Sequence, residues 1–218
     1  MPYGFLSKTL LITRCRIPTK MGAGQSGDQL AVAVISHVIQ SAGPELIAMR
    51  KQMSDAAKKN NDPKFVTRKQ FLAAETAVTV DESDREIFDR LFTLFDKTGA
   101  GTVLWREFLA GLAPLTKGTT AERLLLSFEL FDTTNAGAMD IVDIKMTFRA
   151  LNQTAAAMGD PLLSLDQMSE LVETVFESVS EDLLDGAGPT AKLRYAGAIS
   201  EFVDHPIMES YLAQGGGS

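Results

Sequence analysis

Two twelve-residue segments with the same layout constrain the fold of this chain more than any other feature. They cover residues 96–107 and 132–143, called here loop one and loop two, and their first aspartates are 36 residues apart. Each segment has glycine at its sixth position, an apolar residue at its eighth and an acidic residue at its twelfth. Each follows an apolar stripe of helical spacing that ends in Leu-Phe. The repeat predicts two helix-loop-helix units in tandem, with a sharp turn at each sixth-position glycine.

The sequence on either side of these loops also predicts a series of helices. From residue 29 onward, apolar residues recur at helical spacing, and the breaks are short and rich in Gly, Asn, Asp and Thr. Helix starts are predicted by capping boxes at Thr67, Thr119 and Ser164. Residues 59–70 and 180–190 occupy the places of two further loops that have lost their acidic ligand pattern. We therefore expect an all-α fold of two pairs of units, covering residues 28–115 and 116–213, with a Gly-rich tail at 214–218.

The loop layout is that of the EF-hand, in which oxygens at positions 1, 3, 5, 7 and 12 surround a calcium ion. The candidate ligands are Asp96, Thr98, Glu107 and the carbonyl of Thr102 in loop one, and Asp132, Thr134, Asp140, Asp143 and the carbonyl of Ala138 in loop two. Both loops have alanine at the fifth position, so each lacks one oxygen. We predict weak calcium binding at loop one, a vacant loop two, and no other cofactor.

The apolar eighth residues, Val103 and Met139, predict the small amount of β-structure. Loops of this kind join through a short antiparallel bridge at that position, so we expect a two-residue strand at each. The segment 193–195 is the predicted bridging segment of the last unit.

Composition and charge exclude several classes of protein. The net charge of −7 disfavours a nucleic-acid binder, which needs a basic face to neutralise phosphates. The only cysteine, Cys15, can form neither an internal disulfide nor a thiolate zinc site. His37 and His205 have no catalytic companions, so we expect no enzyme. No window approaches the roughly 20 apolar residues of a membrane span.

Residues 1–27 differ from the rest of the chain, since they carry four basic residues and no acid. We interpret them as a basic flexible arm that docks on a partner, with a transit-type leader as the alternative. The glycines of Gly22-x-Gly24-x-x-Gly27 have dinucleotide-binding spacing, but the strands that such a fold requires are missing downstream. Residues 21–26 match a myristoylation signal, with Gly22 acylated, only if translation starts at Met21 rather than Met1.

Several stretches resemble the EF-hand group that contains calcineurin B, the neuronal calcium sensors and calaxin. They are residues 87–96, Glu107-Phe108-Leu109-Ala110-Gly111-Leu112, Lys117-Gly118-Thr119, residues 127–132 and the C-terminal run 201–208. The run after Val80-Asp81-Glu82-Ser83-Asp84 looks most like calaxin and the related outer-dynein-arm docking subunit.

The resemblance implies that the chain binds a partner helix or coiled coil in an apolar groove. The groove residues it implies are Phe92, Phe108, Leu112, Phe128, Phe148 and Leu151. At least one of Phe128 and Phe148 should then stay partly exposed. We expect a calcium-independent adaptor, a docking subunit of a ciliary or axonemal assembly in the cytoplasm. The alternative is a calcium-switched sensor that reaches a membrane only if it is acylated at Gly22.

Overall fold

The computed structural model describes residues 39, 41, 43–78 and 80–215. The basic arm 1–27, the acylation signal at Gly22 and the end of the tail, 216–218, lie outside the described residues. Of the helix that the apolar spacing predicts over residues 28–40, only residue 39 is described. The described part is helical with a few short strands, so the predicted all-α class is confirmed. No helix in this part is long and apolar enough to cross a membrane.

The N-terminal lobe, residues 43–115, contains two helix-loop-helix units. In chain order its elements are α1 (Gly43–Ala57), β1 (Phe65–Thr67), α2 (Arg68–Ala77), α3 (Glu82–Phe95), β2 (Thr102–Leu104) and α4 (Trp105–Leu112), followed by a 3₁₀ turn, Ala113–Leu115. Loop one connects α3 to α4 and therefore belongs to the second unit.

The C-terminal lobe, residues 120–215, contains the third and fourth units and a closing helix. Its elements are α5 (Thr120–Phe131), β3 (Met139–Asp140), α6 (Ile141–Met158), α7 (Leu165–Ser178), β4 (Leu184–Asp185), β5 (Lys192–Leu193), α8 (Ile199–Val203) and α9 (Pro206–Gly215). Three 3₁₀ turns, Glu181–Leu183, Gly188–Thr190 and Tyr195–Ala198, complete the fourth unit. Loop two connects α5 to α6.

Three helices begin at the predicted capping boxes. Thr67, Thr119 and Ser164 each accept a hydrogen bond from the backbone of the third helical residue, whose side chain bonds back to the cap. Each box satisfies two amide groups that the first turn of a helix leaves unpaired. The starts of α2, α5 and α7 are therefore determined locally by the sequence.

The strands join the units in pairs within each lobe. Val103 lies opposite Val66 in the β1–β2 pair, and Met139 lies opposite Leu193 in the β3–β5 pair. The predicted strands at Val103 and Met139 are present, as is the bridging segment at Leu193, but the two loops do not pair with each other. β2 is one residue longer than predicted, and β4 adds an unpredicted third strand beside β5.

One contiguous apolar core runs through both lobes. Phe71, Phe92, Phe95 and Phe108 form an aromatic cluster in the N-terminal lobe, with ring centroids 5.0–5.8 Å apart. Phe128, Phe148, Tyr195 and Phe202 form its counterpart in the C-terminal lobe. Phenylalanine suits these positions because it has no polar atom to satisfy.

The residues predicted to line a groove lie in this core. Phe92, Phe108, Leu112 and Phe128 are fully buried, Phe148 is 1% exposed, and only Leu151 is partly exposed. The expectation that Phe128 or Phe148 remains partly exposed is therefore wrong for this structure. The physical reason is that each lobe packs its helices on its own aromatic cluster, which fills the space that a groove would need.

Candidate metal loops and the interface between the lobes

The carboxylate of Asp96, the first residue of loop one, accepts hydrogen bonds from groups of its own loop. Its Oδ2 accepts a hydrogen bond from the amide of Gly101 at 2.7 Å, and its Oδ1 accepts from the amide of Ala100 and the hydroxyl of Thr98. Burial raises the pKa of Asp96, but these hydrogen bonds outweigh it and hold the pKa below its usual value. Gly101 makes the turn with φ +74°, as its position predicts.

The twelfth residue of loop one, Glu107, is directed to the other lobe. It lies on α4 and is 3% exposed. Its Oε1 accepts a hydrogen bond from Nη2 of Arg149 at 2.8 Å, and its Oε2 accepts from Nε2 of Gln153 at 3.3 Å. Both donors lie on α6. The carboxylate that should reach back to an ion in loop one is therefore part of an ion pair between the lobes.

The first residue of loop two, Asp132, is surrounded by donors. Its Oδ1 accepts from the amide and hydroxyl of Thr134, and its Oδ2 accepts from the amide of Gly137 at 2.9 Å and the hydroxyl of Tyr195 at 3.2 Å. Burial raises the pKa of Asp132, and these hydrogen bonds more than compensate, so the pKa is lowered. Burial, reinforced by the charge of Asp132, raises the pKa of Tyr195. Tyr195 therefore stays a hydrogen-bond donor at neutral pH.

The twelfth residue of loop two, Asp143, also contacts an arginine of the opposite lobe. Its Oδ2 accepts a hydrogen bond from Nη2 of Arg106 at 2.8 Å. Arg106 also donates from Nε to the carbonyl of Phe131, and its guanidinium carbon lies 4.1 Å from the centroid of the Phe131 ring. The two twelfth-position acids thus form reciprocal ion pairs, Glu107 with Arg149 and Asp143 with Arg106, across the α4–α6 interface.

A close approach of the two helices supports these ion pairs. The hydroxyl of Thr154 on α6 donates to the carbonyl of Gly111 on α4 at 2.7 Å. A Cβ at position 111 would lie 2.6 Å from the ring of Phe95 and 2.8 Å from Oγ1 of Thr154. Only glycine fits there, because contacts this short do not occur between real side chains. Gly111 and Glu107 are four residues apart on one face of α4, so both meet α6.

These donor sets fit a calcium ion poorly. Ala100 and Ala136 supply no fifth-position oxygen, and the twelfth-position carboxylates are engaged by arginines. Among the described residues, no group of three or more His, Cys, Asp or Glu side chains is placed to hold a metal ion. Thr102, Ala138 and Asp140 keep the predicted loop positions, but Asp140 caps α6 by accepting from the amide of Asp143.

The outer units are closed without acidic ligands. In the first unit, Asn60 and Gln70 exchange amide hydrogen bonds of 2.8 and 3.1 Å, and Gln70 also donates to the carbonyl of Ala56. In the fourth unit, the amide of Arg194 donates to the carbonyl of Leu183 at 2.8 Å. Side-chain amides and backbone contacts therefore hold these loops in place.

Comparison with known proteins supports the assignment made from the loops. The chain is 32% identical over 134 residues to a recoverin family protein of Dictyostelium discoideum, a match that covers 57% of the chain and 58% of that protein. The chain has the EF-hand fold. It is also 31% identical over 93 residues to the calcium-binding protein NCSA of the same organism, which covers 43% of the chain and 47% of the relative. These relatives support a place in the EF-hand superfamily beside proteins of the recoverin type.

A third relative is much longer. A dual oxidase of Drosophila melanogaster is 27% identical over 133 residues, which are 60% of the chain but 8% of the oxidase. The chain spans about half the length of the two Dictyostelium relatives and 8% of the length of the oxidase. No family model and no solved structure matches the chain.

Sequence reasoning missed the partners of the EF-hand acids. Arg50, Arg106, Arg149 and Tyr195 contact the loops, and none of them stands at a ligand position. The one available signal was the missing fifth-position oxygen, since acids that have lost their ion need another source of positive charge.

Proposed function

We propose that this EF-hand protein is a non-enzymatic adaptor that binds a helix or coiled coil of a partner protein without calcium. The observation that carries the proposal is the pair of reciprocal ion pairs, Glu107 with Arg149 and Asp143 with Arg106. In a calcium-switched EF-hand, the twelfth-position acid binds the ion and draws its helix to a new angle. In this chain the same acids join the two lobes.

Displacing these contacts for calcium carries a free-energy cost. Glu107 is 3% exposed whereas the Arg149 side chain is 45% exposed, and separating the two would leave a buried carboxylate without its charged partner. An incoming ion would also find no oxygen at Ala100. Both effects weaken calcium binding relative to the roughly 10⁻⁷ to 10⁻⁵ M of sensor sites.

A cleft beside the fourth unit suits the partner proposed here. It has a volume of about 640 Å³, and its apolar surface includes Ile141, Phe176 and Leu184. Glu177 and Glu181 lie at the same cleft. An apolar floor with acidic neighbours is complementary to a helix that carries an apolar side chain between lysines or arginines.

The test is affinity purification of tagged protein from its native cells, with and without a calcium chelator. We expect the same helical or coiled-coil partner under both conditions. Glu177→Lys combined with Glu181→Lys should abolish its recovery, whereas Glu201→Lys, at an exposed position on α8, should not. Recovery only in calcium would contradict the adaptor, and equal recovery by both variants would exclude the cleft.

The cellular setting we propose is a ciliary or axonemal assembly, in which the chain would be a docking subunit. The support is the resemblance of residues 80–96 to calaxin and the outer-dynein-arm docking subunit. Immunofluorescence of the endogenous protein should show axonemal staining that survives detergent extraction. Staining confined to the cell body would contradict this setting.

A calcium-switched sensor is the second candidate. The observation that favours it is similarity to a relative that is named a calcium-binding protein. Loop one also keeps Asp96 and Glu107, its first and twelfth ligands. The sensor requires that calcium expose apolar surface, which fluorescence of a hydrophobic dye would report. An unchanged signal at millimolar calcium would exclude it.

A further inference from the structure

Arg50 reaches from the N-terminal lobe to the start of loop two in the C-terminal lobe. It lies on α1 and is 9% exposed. Its Nη1 donates to the backbone carbonyl of Asp132 at 2.7 Å and also to that of Glu129, and its Nη2 donates to the side-chain oxygen of Asn135. One buried guanidinium therefore donates hydrogen bonds to three oxygens of loop two and of the helix that precedes it.

The guanidinium of Arg50 lies at the negative end of the dipole of helix α5. Helix α5 ends at Phe131, and the last carbonyls of a helix have no partner within it and carry the negative end of its dipole. The carboxylate of Asp132 adds a full negative charge at the same place. In an ion-binding EF-hand the metal supplies the opposing positive charge. In this chain Arg50 contacts the carbonyl of Asp132 at the start of the loop, and Arg106 donates to the adjacent carbonyl of Phe131.

The conformation of loop two fits this arrangement. Asn135 has a positive φ of 52°, a conformation that is uncommon for residues other than glycine. Its side-chain oxygen accepts from Arg50 in that conformation. The carboxylate of Asp132 accepts hydrogen bonds from Thr134, Gly137 and Tyr195. Groups within the chain therefore supply hydrogen bonds to both the Asp132 carboxylate and the Asn135 side chain.

We propose that Arg50 is a built-in cation at the junction of α5 and loop two, where it contacts Asp132, Glu129 and Asn135 through oxygens other than the metal-ligand oxygens, and that this contact fixes the N-terminal lobe against loop two. Because Arg50 is on α1, separation of the lobes would strip a buried charge of its acceptors, which is strongly unfavourable. The proposal concerns the free chain and does not depend on the partner.

Chemical rescue of Arg50→Ala tests the proposal. The variant should melt about 5 °C below the wild type, and the amide of Gly137 should exchange its hydrogen faster. Millimolar guanidinium should restore part of the melting temperature and of the amide protection in a saturable manner. Sodium chloride at equal ionic strength, and calcium, should restore neither. Lys51→Ala, at an exposed neighbour on the same helix, should melt as the wild type and show no rescue.

Asn135→Gly provides a second test if Arg50→Ala does not fold. Glycine accepts the positive φ, so the variant removes one of the three acceptors of Arg50 without adding backbone strain. We expect faster exchange at Gly137 that calcium does not reverse. Two results would overturn the proposal: wild-type exchange at Gly137 in the variant that folds, or restoration of protection by calcium as complete as that by guanidinium.

Discussion

Arg149 and Glu107 join the two lobes of the protein by a hydrogen-bonded ion pair of 2.8 Å. Glu107 is the last residue of loop one, and Arg149 lies on the helix that follows loop two. The same carboxylate is required for calcium in an EF-hand of this layout. Ion binding and lobe contact therefore compete for one side chain, and this competition is measurable.

Replacing Arg149 by Gln should strengthen calcium binding at loop one. The change removes the competitor for Glu107, and it should lower the free energy of unfolding without calcium by about 1–3 kcal/mol, because a buried carboxylate loses its partner. Isothermal titration calorimetry of the wild type should show at most one weak site, and the variant should bind more tightly.

Arg90→Gln is the matched control for Arg149→Gln. It removes an exposed pair with Glu86, so it should cost under about 1 kcal/mol and leave calcium binding unchanged. Two tight sites in the wild type, or equal affinity in wild type and Arg149→Gln, would contradict the competition between calcium and Arg149.

Replacing Gly111 by Ala should destabilise the protein by about 1–3 kcal/mol, because the added methyl group would collide with Phe95 and Thr154. Gly43→Ala is the matched control, since its Cβ would meet Leu126 at an ordinary 3.4 Å. Urea denaturation of both variants measures the difference. Equal midpoints for the two would mean that α4 and α6 are less closely packed than described.

Replacing Glu75 by Gln should stabilise the protein at alkaline pH. Burial raises the pKa of Glu75 from its usual 4.5 to about 7, and its Oε1 has no hydrogen-bond partner among the described residues. Because the folded state holds the proton more tightly, the wild type loses stability as pH rises from 4.5 through 7. The variant should be more stable than the wild type above pH 7, by up to about 3 kcal/mol.

Thermal unfolding of the wild type and Glu75→Gln between pH 4 and pH 8.5 checks this sign. The two melting temperatures should converge near the lower end of the range. Glu201→Gln, at an exposed position, should follow the wild type throughout. A parallel pH dependence in all three proteins would show that Glu75 does not titrate in this window.

Replacing Phe128 by Ala should lower the free energy of unfolding by about 3–5 kcal/mol, the usual loss for a buried phenylalanine. Phe128 is fully buried against the rings of Phe148, Tyr195 and Phe202. Val142→Ala, at a residue that is 62% exposed, is the control and should change stability by less than about 0.5 kcal/mol. A small loss at Phe128 combined with weaker partner binding would restore it to a groove.

The sequence predicts the elements that depend on nearby residues. The caps at Thr67, Thr119 and Ser164 and the turns at Gly101 and Gly137 follow from local hydrogen bonding and backbone freedom. The strands at the eighth loop positions follow from the same repeat. These features can be predicted without knowing which helix-loop-helix units lie side by side.

The sequence does not predict contacts that depend on how the lobes meet. Nothing near position 149 indicates that its side chain will face Glu107, since the two residues are 42 positions apart. The burial of Phe128 and Phe148 was not predicted for the same reason. Phe92 and Phe108 are apolar whether they face a partner or another helix, and only the packing of α2, α3 and α4 decides between the two.

The contiguous core has a consequence for the chain as a folding unit. Buried residues of both lobes belong to one apolar cluster, and the linker around residues 116–119 runs beside it. A fragment cut at this linker would divide this cluster and expose the face of α4 that includes Glu107 and Gly111, both of which contact α6 in the intact chain. Neither half would be a self-sufficient product of proteolysis or of gene truncation, and each would tend to aggregate or to pair with a second copy.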